Sequence, residues 1–177
     1  MACLDKPVAC GLFLRPEKTM TLSEIRERAI APALALLPAR MRSDAAEVLL
    51  LAIGLQESGL IHRHQIGGPA HGLLQFERGG GVRGVMNHSA SKDHAARVCV
   101  ERGVEPTVVA AFDAIEFDDV LAMAFGRLLL WTDPEPLPDV QDVQGAWDLY
   151  LRVWRPGKPH RDTWDRLYAQ AVREVVR

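Results

Sequence analysis

The chain of 177 residues is poor in the features that mark several large protein classes. Its three cysteines, Cys3, Cys10 and Cys99, are odd in number and lack Cys-x-x-Cys spacing. That argues against a disulfide framework or a thiolate metal motif, and reduced thiols are the expectation. No apolar run approaches the roughly 18 residues that a membrane span needs, so no membrane insertion is expected. The short apolar stretch near the N-terminus follows Asp5 and Pro7 and makes a poor secretory signal. A basic excess is missing too: 21 Lys and Arg stand against 23 Asp and Glu, a net charge of -2. Nonspecific nucleic-acid binders carry a clear positive balance, so nucleic acid is not the expected partner. Aromatic residues are scarce at 6%, yet four are Trp, and Trp147, Trp154 and Trp164 fall in the C-terminal part. Internal repeats and low-complexity tracts are absent.

What remains is an ordinary folded chain, 48% hydrophobic and 25% charged, long enough to bury its own core. An irregular lead over residues 1–20 precedes helical patterning that begins just past Met20, and 21–177 reads as one domain. Residues 22–37 have helical spacing, with Pro32 as a break. Ser43 is a good N-cap, and Asp44 and Glu47 place negative charge in the first turn, where the helix dipole favours it. The helix that follows is apolar on every face from Val48 to Ile53, so it should be central, and Gly59 should stop it. Residues 60–88 differ in kind. Gly67-Gly68-Pro69, Gly72 and Gly79-Gly80-Gly81 are expected to break any helix, leaving short strands or extended loops. Helices resume near Ser89 or Ser91, again at Pro106 as an N1 residue, and over 118–131, with Leu121, Phe125, Leu128 and Leu129 on one side. A proline-rich connector at 133–138 leads to helices over 140–154 and 162–176. The expected fold is mainly α, a single domain with one small irregular or β excursion.

Glu57 is the residue that points to chemistry. It sits at the C-terminal end of an otherwise apolar helix, where the helix dipole disfavours an anion and apolar neighbours remove water. Both effects raise a carboxyl pKa. A carboxyl that stays protonated near neutral pH is what a general acid needs to protonate a leaving oxygen, and glycosidic bond cleavage is a common use of one.

Glu57-Ser58, then a gap of about 15 residues, then Gly72-Leu73-Leu74-Gln75, resembles the lytic transglycosylase and goose-type lysozyme group of the lysozyme superfamily. The resemblance implies a lysozyme-like fold and cleavage of the β-1,4 bond between N-acetylmuramic acid and N-acetylglucosamine in peptidoglycan. It gives Glu57 the role of acid and then base. Ser58 would hydrogen-bond substrate or Glu57. Gly72, Leu73 and Gln75 would line the sugar groove, Gln75 reaching sugar amides or positioning the catalytic region. Leu74 replaces the Met usual in that group, a volume-conserving change. The group's Ala-x-Tyr-Asn-Ala-Gly element has no close counterpart; Ala146-Trp147-Asp148-Leu149-Tyr150 stands at its helix position. By that position Tyr150 is expected to place a hydroxyl near the reacting sugar. The divergence resembles phage and prophage members, which implies a virion-associated protein, made without a signal peptide, that opens the wall locally beside phage tail proteins. A monomer is expected.

Glu77, two residues after Gln75, bears on the reaction type. A second carboxylate about 6.5–9.5 Å from the acid permits an inverting hydrolysis with water between the two, as in a goose-type muramidase. With Glu57 alone, the sugar's own 6-hydroxyl attacks and leaves a 1,6-anhydro end. Glu77 could instead pair with Arg78 or Arg83. Trp147, Tyr150, Leu151 and Trp154 share one helical face, a core stripe whose edge could stack on a sugar ring. Arg155 and Lys158 could meet the lactyl carboxylate or peptide stem. The stretch Gly79–Gly84 lacks the Gly-Lys-Ser/Thr ending of a phosphate loop. His62, His64 and His71 match no strong zinc spacing, so neither metal nor cofactor is assigned, and His62 and His64 are read as groove lining. Two rivals remain: a non-catalytic tail adaptor on the same scaffold, and a helical DNA-binding regulator.

Overall fold

The hydroxyl of Ser43 accepts a hydrogen bond from the Ala46 amide, and this cap starts the helix that organises the molecule, α3 (Asp44–Ser58). It ends where Gly59 turns left-handed at φ 65°. Every residue from Val48 to Ile53 is buried, because neighbours cover it on all sides, chiefly α9 (Arg161–Val175) and α7 (Asp119–Trp131). The computed structural model describes residues 19–176. The lead up to residue 18, with Cys3 and Cys10, lies outside them. The described chain is mainly helical, and no helix in it is long and apolar enough to cross a membrane.

Before α3 the chain forms α1 (Leu22–Ile25), a π-helical turn (Arg26–Ile30) and α2 (Ala31–Ala35) without interruption. Thr21 and Glu24 open this segment with reciprocal cap bonds. Pro32 was expected to break it. The wide π turn just ahead relaxes the backbone where the missing amide and the ring would clash, so Pro32 sits in the first turn of α2. Arg26, from the π turn, bonds Glu47 of α3 at 3.0 Å and the Glu174 carbonyl of α9 at 2.8 Å, tying three segments together.

The excursion takes the irregular form, one of the two expected of it. Among the described residues no strand forms; two isolated antiparallel bridges, His64 with His71 and His71 with Phe76, organise the loop. The Gly79–Gly81 run does not break a helix. Arg78–Val82 forms a second π turn leading into α4 (Arg83–Asn87). The reason is space: a Cβ on Gly81 would lie 2.6 Å from the Phe76 ring, so glycine lets the turn pack flat against it.

After α4 come α5 (Lys92–Glu101), α6 (Val108–Ile115), α7, α8 (Val143–Trp154) and α9. α6 starts later than Pro106 because Thr107 caps it, accepting from the Ala110 amide. α8 starts at Val143 rather than Val140 because Asp142 accepts from Gly145. α7 is buried from Leu121 through Leu130, not on one side only. That includes Arg127, whose Nε donates to the Met41 carbonyl at 2.7 Å and whose guanidinium lies 5.1 Å from the Trp131 ring. Burial pulls its pKa down to about 10. Cys99 is buried and free, its thiol pushed up to about 11 by burial.

Candidate active site

Glu57 ends α3 half-buried against α8. Tyr150, a residue 2% exposed, donates its hydroxyl to Glu57 Oε1 at 2.7 Å. Burial raises the Glu57 pKa above its ordinary value; the Tyr150 hydrogen bond lowers it, and the negative charge of Glu77 raises it again. Burial dominates, so the net shift is upward, toward the neutral carboxyl and away from the anion. Since Oε1 accepts from Tyr150, Oε2 is the oxygen placed to carry the proton. The Tyr150 pKa is itself raised, first by burial and then by the Glu57 charge, so its phenol stays a donor.

Tyr150 is held by packing. Its ring stacks on Trp164 with centroids 5.1 Å apart and an interplanar angle of 16°, and Trp147 lies 5.4 Å from both rings. The α8 stripe is therefore core at Trp147 and Tyr150. Trp154, one turn on, faces the surface of a groove and donates its indole N–H to the Leu74 carbonyl at 3.1 Å.

Two depressions meet at Glu57. One is an open groove of about 1460 Å³ between the 78–88 segment and the 152–160 turn, with Phe76, Tyr150 and Trp154 among its lining. The other is a smaller pocket of about 220 Å³ lined by Glu57, Ser58, His62, Gln65, Ile66 and Gln75. Glu57, Gln65 and Gln75 border both. Glu77 is exposed in the groove wall and forms no ion pair with Arg78 or Arg83 among the described residues. Arg83, Arg155 and Lys158 give the groove cationic edges. Asp133 and Arg152 close one end as an ion pair at 2.6 Å, which holds the Asp133 carboxyl below its ordinary range.

The 72–75 turn is built to place Gln75. Its Nε2 donates to the His62 carbonyl at 3.0 Å and the Gly72 carbonyl at 2.9 Å, which leaves Oε1 as an acceptor. Gln75 adopts φ 49°, a left-handed backbone unusual for a residue with a side chain. Gly72 and Leu73 do not line either depression. Leu73 is fully buried. Gly72 is required by its φ of 74° and by Ile115, whose carbonyl would lie 2.8 Å from an added Cβ. Ser58 does not reach Glu57: its hydroxyl donates to the Leu73 carbonyl at 2.6 Å and accepts from the Leu60 amide at 3.1 Å. It locks the helix end to the 72–75 turn while bordering the small pocket.

Gln56, to which the sequence assigns no role, braces the other wall. It donates to the His160 carbonyl at 3.1 Å and accepts from the Thr163 hydroxyl at 3.0 Å. Its position beside Glu57 was the only signal for it. His62 borders the small pocket, whereas His64 borders neither depression and turns toward His71 and Glu116. Comparisons of the chain with protein-family models, with curated proteins and with solved structures give no match.

Proposed function

We propose that the protein is a peptidoglycan-cleaving lytic transglycosylase with Glu57 as general acid and then base. The observation that carries this reading is the position of Glu57: a carboxyl biased toward protonation, at the junction of two depressions that share Gln65 and Gln75. A glycan laid across the junction has sugars on both sides of the acid, as endo-cleavage requires.

The protonated Glu57 Oε2 gives its proton to the bridging glycosidic oxygen as the C1–O bond of N-acetylmuramic acid breaks. The resulting carboxylate, steadied by the Tyr150 hydroxyl, then takes the proton of that sugar's 6-hydroxyl as its oxygen bonds to C1. The carboxyl returns to its starting form and the product carries a 1,6-anhydro end. The two protonation states have opposite needs, and one constellation serves both: burial favours the acid, and the phenol stabilises the anion. Trp154 offers an apolar ring for a sugar face, and Arg83, Arg155 and Lys158 offer cations for stem-peptide carboxylates.

One observation favours a second reading, hydrolysis. Glu77 is exposed, unpaired among the described residues and close enough for Glu57 to sense its charge. A water held by Glu77 would then replace the 6-hydroxyl as nucleophile. Digestion of purified peptidoglycan followed by mass spectrometry of the released muropeptides separates the cases. Anhydro ends, one water lighter, are expected. Reducing ends that vanish in Glu77→Gln would establish the hydrolase, and release of nothing would overturn both readings.

A further inference from the structure

We infer that His64, His71 and Glu116 form a binding site for one divalent transition-metal ion of the zinc type. The site lies outside the groove and stands whether or not Glu57 cleaves glycans. Its construction begins in the backbone. The Gly72 amide donates to the Arg63 carbonyl at 2.7 Å and the Gln65 amide to the Ala70 carbonyl at 2.9 Å. These bonds flank the His64–His71 bridge, so the two histidines form the close, non-hydrogen-bonded kind of antiparallel pair, with both side chains on one face. Their rings lie 4.9 Å apart.

The third ligand comes from the C-terminal end of α6. Glu116 Oε2 lies 3.4 Å from His64 Nδ1 and 3.3 Å from His71 Nε2. Zinc bonds of about 2.0–2.1 Å in a tetrahedron set ligand atoms about 3.3–3.4 Å apart, which matches both spacings. All three ligand atoms fall within 4.8 Å of one another.

Hydrogen-bond accounting asks for the cation. His71 Nδ1 is 3.3 Å from the Phe112 carbonyl oxygen. A carbonyl only accepts, so in the tautomer that makes this bond Nδ1 carries the hydrogen and Nε2 is a bare lone pair. That lone pair faces a carboxylate oxygen, acceptor against acceptor. A metal ion between them satisfies both, and the Phe112 carbonyl then acts as the outer partner that fixes the histidine tautomer. The ring is also held in place, stacked on Phe112 with centroids 4.0 Å apart and an interplanar angle of 12°. The alternative is a metal-free pair in which His71 donates an Nε2–H to Glu116 Oε2. Side-chain exposures of 14% for His71, 20% for Glu116 and 57% for His64 leave one side open for water as a fourth ligand.

The ion would act on the loop that borders Glu57. The His71 amide and carbonyl exchange hydrogen bonds with Phe76 at 2.9 and 2.8 Å, so His71 anchors the turn that carries Gln75. Binding therefore clips residues 63–76 to the end of α6 and stiffens that border.

The full chain is stripped with a chelator, with Cys3 and Cys10 replaced by Ser so that the buried Cys99 is the one thiol left. It is then titrated calorimetrically with Zn²⁺ and, separately, followed by visible absorption with Co²⁺. One ion per chain with micromolar or tighter affinity is expected, together with an absorption band of four- or five-coordinate Co²⁺ and slower amide exchange across 63–76. His64→Ala, at an exposed position, and the near-isosteric Glu116→Gln should each weaken binding by about ten-fold or more. Glu101→Gln, at an exposed position on α5, should leave it unchanged. Binding weaker than millimolar, or binding unaltered in both His64→Ala and Glu116→Gln, would overturn the site and favour the metal-free hydrogen-bonded pair.

Discussion

Replacing Ser58 by Ala tests whether the residue beside the acid is a substrate contact or a bolt. The hydroxyl is the only hydrogen-bond partner of the Leu73 carbonyl among the described residues, at 2.6 Å, and both residues are buried. The Leu60 amide, which also donates to Ser58, keeps a second partner in the Gly54 carbonyl at 3.2 Å. The substitution therefore orphans one buried carbonyl. Leaving such a group unsatisfied costs about 1–3 kcal/mol. For a chain of this size that is a fall in Tm of roughly 2–12 °C. Urea unfolding followed by circular dichroism would measure it, with the midpoint moving and the slope unchanged. The expected companion result is that His62→Ala, at an exposed pocket position, stays within about 0.5 kcal/mol of wild type. A Ser58→Ala protein that loses less than about 0.5 kcal/mol but binds peptidoglycan poorly would refute the bolt and restore a substrate role.

Glu57→Gln should stabilise the fold more at neutral pH than near pH 4. The carboxyl's folded pKa lies above its ordinary 4.5, so its contribution is full below that value and lost as pH rises through the folded pKa; thermal melts across pH that show the opposite trend would contradict this. Tyr150→Phe removes the interaction that favours the Glu57 anion, so the alkaline limb of a wall-lysis pH profile should move to higher pH while the maximum rate falls. An unmoved or acid-shifted limb would exclude the hydrogen bond as a control on Glu57. Gly72→Ala should cost about 2–4 kcal/mol by chemical denaturation, from the left-handed backbone and the clash with Ile115; a neutral effect would mean the turn can reshape.

The parts of the fold set by local chemistry were legible. Ser43 and Gly59 bound α3 because a cap hydroxyl and a left-handed glycine act within a few residues, and the unbroken apolar run of α3 marked it as central. Failures came where distant contacts outvote local preference. Pro32 reads as a breaker until the π turn before it is seen, and Gly79–Gly81 reads as a loop until Phe76 supplies the surface that glycine packs against. Pro106 lost the helix start to the side-chain cap of Thr107, a competition between neighbours with similar signals. In the site, Glu57 and Tyr150 were named from opposite ends of the chain, and the structure joins them at 2.7 Å. Leu73 and Ser58 show the limit: the turn's sequence pattern is visible, but which of its atoms face the groove depends on burial. Glu116 carries no sequence signal toward His71, because 45 residues separate partners that only tertiary packing brings together.

In the proposed reaction one half-buried carboxyl, Glu57, does the proton work. The rate at which the purified protein releases soluble muropeptides from peptidoglycan, compared between wild type and Glu57→Gln, tests it most directly. A loss of about 10²–10⁴-fold with the fold intact by circular dichroism is the expected result. An amide variant that releases muropeptides as fast as wild type would contradict it.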